Sequence, residues 1–154
     1  MPIPKTGIKA PDFTFTGSHG RQVTLSSLKG KKVILYFYPK DDTPGCTAEA
    51  CNLRDNYSAL KMQGFEVLGV STDNSRSHEK FTGKYNLPFT LVPDPDKTIV
   101  NSYGVWGKKK FMGREYMGTL RTTFIIDENG IIEKVIDTVD TKNHTEQILK
   151  ELSP

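Results

Sequence analysis

The sequence predicts an α/β fold: a central mixed β-sheet flanked by helices. Two near-continuous apolar runs rich in β-formers, 33–38 and 65–71, read as strands buried on both faces. Segments with helical periodicity separate the strands. Near the C-terminus, two β-rich runs flank Asp127-Glu128-Asn129-Gly130, a hairpin signal.

In chain order, 13–16 and 22–25 read as short strands around a turn at Gly17-Ser18-His19-Gly20. The strand at 33–38 follows. A helix is expected over 43–63, because Ala50, Leu53, Tyr57 and Leu60 step by three and four and Gly64 supplies a C′ stop. After the strand at 65–71 comes a helix over 75–85, with Phe81 and Tyr85 as its inward pair. A short strand at 90–92 leads to a third helix opening at Asp94-Pro95, with Ile99, Val100 and Tyr103 inside and Gly104 ending it. Strands 122–126 and 131–136 form the closing hairpin, and a last helix starts near Thr141 and buries Ile148, Leu149 and Leu152. Right-handed crossovers make the first two long strands parallel neighbours, and the closing hairpin adds antiparallel ones. This order suits a thioredoxin-like fold, expected as one domain over 1–154.

A chain of 154 residues buries enough surface to fold without a disulfide or metal staple. Its net charge of +3 is too small to argue for nucleic acid or a polyanionic membrane as partner. The basic run Lys108-Lys109-Lys110 lies in a Gly-rich stretch and reads as a solvated loop, with Trp106 as a packing residue there. No run approaches the roughly 18 apolar residues of a membrane span, and the N-terminus lacks a secretory h-region. The expected compartment is therefore the cytoplasm, although a transit peptide could have been removed.

The chain has two cysteines, five positions apart. In a reducing compartment such a pair suggests metal binding or redox work rather than a permanent staple. Metal has weak support, because no Cys-x-x-Cys or His-x-x-x-His spacing occurs and His19, His78 and His144 are scattered. These histidines read as surface or capping residues. Pro39 to Thr47 (PKDDTPGCT) directly follows a buried strand and enters a helix. Thr43 suits the N-cap, Pro44 suits N1, and Gly45 lets another group approach the backbone. Cys46 then falls at N3, where free backbone N–H groups and the positive end of the helix dipole favour a thiolate. The Thr43 hydroxyl and the N–H groups of Gly45 and Cys46 could donate to a developing oxyanion, and Pro39 could shield the sulfur. A lone cysteine four before Ala50 would read as a small apolar residue on the helix's inner face, but the Thr43-Pro44-Gly45 entry and the second cysteine favour the reactive reading of Cys46.

The pattern Pro39-x-x-x-Thr43-x-x-Cys46 resembles the active-site signature of peroxiredoxins. The segment YFYPKDDTPGCTAEACNLRD is similar to the bacterioferritin comigratory protein, or peroxiredoxin Q, subfamily. KAPDFTF, YGVWGKKKFMGREYMG and LRTTFIID extend the resemblance over nearly the whole chain. It implies a thiol peroxidase reducing hydrogen peroxide and organic hydroperoxides. Cys46 would be the peroxidatic cysteine and Cys51 the resolving one, and the pair would form an intramolecular disulfide. Pro39, Thr43 and Arg121 would complete the pocket, with Gly45 among the peroxide-binding groups. Thioredoxin or a similar dithiol would be the reductant, no metal, haem or flavin would be needed, and the chain would be a monomer or weak homodimer. Taken alone, Arg121 reads as a surface charge at a strand start. Glu49 and Arg54, on the same helix, could tune the site but read more simply as solvated or structurally paired charges.

Two rivals remain at this point. A protein disulfide reductase on the same fold would carry the missing Cys-x-x-Cys. A redox-sensing thioredoxin-like binding module would oxidise without efficient turnover.

Overall fold

A computed structural model describes residues 2–17 and 20–153. The expected turn at 17–20 and the reading of His19 fall in part on Ser18 and His19, which lie outside the described residues.

Nine strands and five α-helices follow one another in the described residues: β1 (Thr14–Thr16), β2 (Gln22–Thr24), β3 (Lys32–Phe37), α1 (Pro44–Asp55), α2 (Tyr57–Met62), β4 (Phe65–Ser71), α3 (Ser75–Tyr85), β5 (Thr90–Pro93), α4 (Thr98–Ser102), β6 (Trp106–Phe111), β7 (Arg114–Thr119), β8 (Thr122–Ile126), β9 (Ile132–Ile136) and α5 (His144–Leu152). The main sheet runs β5-β4-β3-β8-β9. β3, β4 and β5 are parallel, and β8 and β9 are antiparallel to their neighbours, so the sheet is mixed as expected.

The continuous apolar run in β3 has a plain cause. Strand side chains alternate, so Val33, Leu35 and Phe37 enter one core with Leu68, Val70, Phe124 and Tyr103. Ile34, Tyr36 and Tyr38 enter the other with Val67, Ile125, Cys46, Ala50, Leu53, Phe81 and Ile148. The thioredoxin-like arrangement thus places α1 against the sheet's second face and Cys46 in its core.

Helix boundaries depart from the sequence reading in three places. The single helix expected over 43–63 is two, α1 and α2, because the Asn56 side-chain amide donates to the Asn52 carbonyl at 2.8 Å and competes with the backbone ladder. The helix expected at Asp94 begins instead at Thr98: Lys97 is left-handed at φ 63°, and the Asp94 carboxylate accepts the Val100 N–H at 2.8 Å. The last helix begins at His144 rather than Thr141, because Asp140 Oδ1 first accepts the N–H groups of Lys142 and Asn143 in a side-chain turn.

The largest difference lies at the basic run. Residues expected to form a solvated loop form the β6–β7 hairpin, pairing Trp106 with Thr119 and Phe111 with Arg114. Met112 and Gly113 close it with positive φ at both positions, 51° and 80°, the twist a two-residue hairpin requires. Methionine is an unusual first turn residue, so the signal is weak. Lys108 and Lys110 are exposed as expected, but Lys109 is half-buried and donates to the Thr119 carbonyl at 3.0 Å. Trp106 is half-buried against the core, and the Lys97 ammonium lies 5.2 Å from its ring centre. Among the described residues, no helix is long and apolar enough to cross a membrane.

Candidate active site

β3 runs out at Phe37, and the chain crosses Tyr38 and Pro39 into a tight loop before α1. Asp41 holds that loop. Its carboxylate accepts from the Tyr38 hydroxyl at 2.5 Å, the Ser77 hydroxyl at 2.7 Å and His78 Nδ1 at 2.8 Å, while its N–H donates to Asp73 at 2.8 Å. Burial opposes the Asp41 charge, but the bonds from His78, Tyr38 and Ser77 outweigh it and hold the carboxyl below its usual range. Asp41, Asp73 and His78 bring potential metal-ligand atoms within 4.8 Å of one another. Asp41 and Asp73 already spend those oxygens on protein donors, since Ser71 also donates to Asp73, which makes the cluster a structural network that fixes the loop. His78 is buried here, contrary to its reading as a surface or capping residue. Its ring supplies the buried Asp41 carboxylate with a hydrogen-bond partner away from water.

The helix entry follows the expected register. Thr43 is the N-cap with extended backbone, Pro44 is N1, and Cys46 is N3 and 1% exposed. The Thr43 hydroxyl does not cap the helix; it donates to the Lys40 carbonyl at 2.8 Å. Its hydrogen is thereby committed, which corrects the expectation of a donor. Its oxygen keeps lone pairs that can accept a hydrogen bond. The N–H groups of Gly45 and Cys46 stand in the first turn, where no i−4 helical carbonyl exists for them. Pro39 is half-buried beside this loop.

Arg121, just before β8, comes to Cys46. Its Nη2 donates to Cys46 Sγ at 3.3 Å and its Nη1 to Glu49 Oε1 at 2.7 Å. The surface-charge alternative for Arg121 does not hold. Gly45 makes the approach possible: a Cβ there would lie 3.2 Å from Arg121 Nη2. A guanidinium donor and the N-terminus of α1 thus converge on a sulfur that is shielded from bulk water.

Two further residues belong to this neighbourhood: Glu49, paired as the sequence allowed, and His144, which read as a surface or capping residue. Glu49, one turn after Cys46, is fully buried, and burial raises its carboxyl to about 7 despite the Arg121 contact. Its spacing of three from Cys46 was the available signal. Arg54, read with it as a charge, pairs with Asp55 and donates to the Tyr85 carbonyl at 2.9 Å. His144, at the start of α5, is fully buried, with Nε2 3.5 Å from Glu49 Oε2, and burial lowers it to about 4. No local pattern marks that long-range contact. Lys109 borders the site as well: burial lowers its ammonium, the Arg121 cation adds to this, and Cys46 opposes it.

Cys51 is a half-buried free thiol on the same helix. Five helical residues separate two Cα atoms by roughly 8.6 Å, beyond the roughly 6.8 Å limit for a disulfide. The structure therefore brings Cys46, Gly45, Thr43 and Arg121 together but keeps Cys51 apart from Cys46.

Comparison with known proteins agrees with this geometry. Residues 6–135 match the model of the AhpC/TSA family. The chain belongs to that family, the peroxiredoxins. It is 50% identical over 148 residues to the putative peroxiredoxin bcp of Coxiella burnetii, covering 96% of this chain and 98% of that one. It is 46% identical to peroxiredoxin Bcp of Escherichia coli, covering 94% and 93%. Among solved structures, a peroxiredoxin Q mutant from Xylella fastidiosa superposes with a TM-score of 0.86 at 30% identity, covering 99% and 95%. The Xanthomonas campestris bacterioferritin comigratory protein gives 0.86 at 29%, covering 99% and 100%. This peroxiredoxin is thus a thiol peroxidase of the bacterioferritin comigratory protein type, with a thioredoxin-like fold.

Proposed function

We propose that this peroxiredoxin reduces hydrogen peroxide and organic hydroperoxides through Cys46 and is recycled through a Cys46–Cys51 disulfide by thioredoxin or a similar dithiol protein. The observation that carries the reading is the Arg121 guanidinium donating to the Cys46 sulfur at 3.3 Å at a buried helix N-terminus. The thiolate attacks the outer peroxide oxygen, the O–O bond breaks, and the alkoxide or hydroxide leaves and takes up a proton. Arg121 and the N–H groups of Gly45 and Cys46 meet the negative charge as it develops, and the Thr43 oxygen accepts the peroxide hydrogen. Pro39 limits water at the sulfur. Cys46 is left as a sulfenic acid.

Cys51 thiolate then attacks the sulfenic sulfur and expels hydroxide, closing the disulfide. Because an intact α1 holds the two cysteines too far apart, the helix start must unwind. Leu53 is fully buried, and Asn52 both donates to the Lys142 carbonyl and accepts from the Thr145 N–H, so the helix is pinned just beyond Cys51. The first turn, with the fewest intrahelical bonds, is the part free to open. The reductant reaches the disulfide in this opened form. The chain works in this reading as one domain over 1–154, monomer or weak homodimer, in a reducing cytoplasm.

Peroxide-dependent NADPH oxidation in the presence of thioredoxin and its reductase tests the cycle with both peroxide classes. Sustained turnover is expected. A single oxidation without turnover would replace the reading with a redox sensor.

A further inference from the structure

The buried Glu49–His144 contact is unusual, because a carboxylate and a neutral imidazole nitrogen cannot face each other as two acceptors without cost. Which atom carries a hydrogen can be worked out from the neighbours. Gln147 Nε2 donates to the Thr138 carbonyl at 2.7 Å, and Gln147 Oε1 accepts the Asp140 N–H at 2.8 Å. One backbone partner only accepts and the other only donates, so the amide orientation is fixed. His144 Nδ1 meets that same Oε1 at 3.0 Å and must therefore hold the ring hydrogen. In the neutral ring Nε2 is then a bare acceptor, taking the Thr123 hydroxyl at 2.8 Å.

Glu49 Oε2 faces this nitrogen at 3.5 Å and has no hydrogen-bond partner among the described residues. An ionised Glu49 would set two lone pairs against each other in a site closed to water. One proton between the two atoms removes the conflict and turns the contact into a three-centre arrangement at Nε2. Placing it on the imidazole would put a second buried cation near Arg121. Burial pushes the carboxyl up and the imidazole down, which places the proton on Glu49.

We propose that His144 is a positioning residue that holds Glu49 in its protonated form by accepting the Glu49 proton at Nε2, so that Arg121 presents its full positive charge to Cys46. The inference rests on the peroxidatic role of Cys46. The groups facing Glu49 are Arg121 from the start of β8, His144 from α5, Tyr36 from β3 and Cys46 from its own helix. Tyr36 is fully buried, its hydroxyl has no partner among the described residues, and burial followed by the Glu49 charge raises it well above its usual range, so it stays neutral. Lys109 and Asp140 act from farther out. When Glu49 ionises, its carboxylate cancels the guanidinium charge, and the sulfur and incoming peroxide lose that support.

Stopped-flow oxidation of the reduced protein by hydrogen peroxide, from about pH 5 to about pH 9, reads this directly. The wild type should show an alkaline limb with a midpoint near 7, over which the rate constant falls by about tenfold, the equivalent of about one unit of interaction. Glu49→Gln, an isostere of the protonated acid, should lack the limb. His144→Phe keeps a ring in place but removes the acceptor, and should move the limb to lower pH by about one unit. A limb unchanged in either variant overturns the proposal. Carbon-13 NMR of the wild-type carboxyls needs no variant: Glu49 should titrate near 7, and an ionised Glu49 already at about pH 5 would also overturn it. A protein that shows this titration but does not react with peroxide would refute the peroxidase role and leave the proton assignment standing.

Discussion

Gly45→Ala isolates the role of the Arg121 placement without removing any polar group. Gly45 is the second residue of α1, inside the helix, so alanine suits its backbone and should add up to about 1 kcal/mol of helix stability. The new Cβ, however, would sit 3.2 Å from Arg121 Nη2 and 3.9 Å from Cζ. An ordinary contact needs roughly 3.5 Å or more, so the guanidinium must retreat by about 0.4 Å. Glu49 holds Nη1 at 2.7 Å and the new Cβ presses on Nη2, which donates to the sulfur at 3.3 Å, so the retreat opens the sulfur side. Lengthening that separation from 3.3 to about 3.7 Å costs roughly 0.5 kcal/mol of Coulomb attraction at an effective dielectric near 20. The weakened hydrogen bond adds about another 0.5–1 kcal/mol. Together these predict a rate constant with peroxide lower by about tenfold, with unchanged or raised thermal stability. Stopped-flow oxidation and a thermal melt of the reduced protein measure both. A variant that keeps the wild-type rate would show that the sulfur does not depend on this approach. A variant that loses rate and stability together would point to general damage.

Three further outcomes are expected. Arg121→Met keeps much of the length but removes charge and donors, so thiolate absorbance at neutral pH should fall and peroxide oxidation should slow by about 100-fold or more; unchanged values for both would remove Arg121 from the site. Oxidation should lower hydrogen-exchange protection from about residue 46 to about residue 53 while the central sheet stays protected; equal protection in both redox states, with the disulfide confirmed by mass, would contradict an unwinding helix start. Glu49 has a raised carboxyl in the fold, so the native state keeps a proton that the unfolded chain gives up, and its contribution to stability falls as pH rises from about 4.5 through about 7. His144 acts in the opposite sense between about 4 and 6.5. The stability of Glu49→Gln minus that of wild type should therefore grow across the Glu49 window, by up to about 3 kcal/mol in urea melts, and a gap that shrinks would refute the assignment.

Much of this was legible in the sequence because it depends on local physics. Near-continuous apolar runs of β-formers mark β3 and β4, and the parallel pairing of the two follows from handedness. Thr43-Pro44-Gly45 sets the helix register and hence the depth of Cys46. Where a side chain competes with the backbone, the reading slipped: Asn56 splits a helix, and Asp94 and Asp140 delay two others. The β6–β7 hairpin was missed because its strand carries three lysines and its turn opens with Met112. In the site, the residues that the resemblance names lie within one loop and one helix, apart from Arg121. His144 was misjudged, and the partner of Glu49 was not identifiable, because these contacts come from distant elements, and burial of a charged type is visible only once the partner is in place.

The division of labour between the two cysteines is the claim on which the rest depends, and single-turnover oxidation with a sulfenic-acid trap tests it most directly. Cys46→Ser should consume no peroxide, since an alcohol is barely ionised at neutral pH and, among the described residues, the side chain at 46 bonds to Arg121 and to no base. Cys51→Ser should consume about one equivalent, yield a trapped sulfenic acid and then stall with thioredoxin as reductant. A peroxide burst in Cys46→Ser, with none in Cys51→Ser, would reverse the roles and contradict the account.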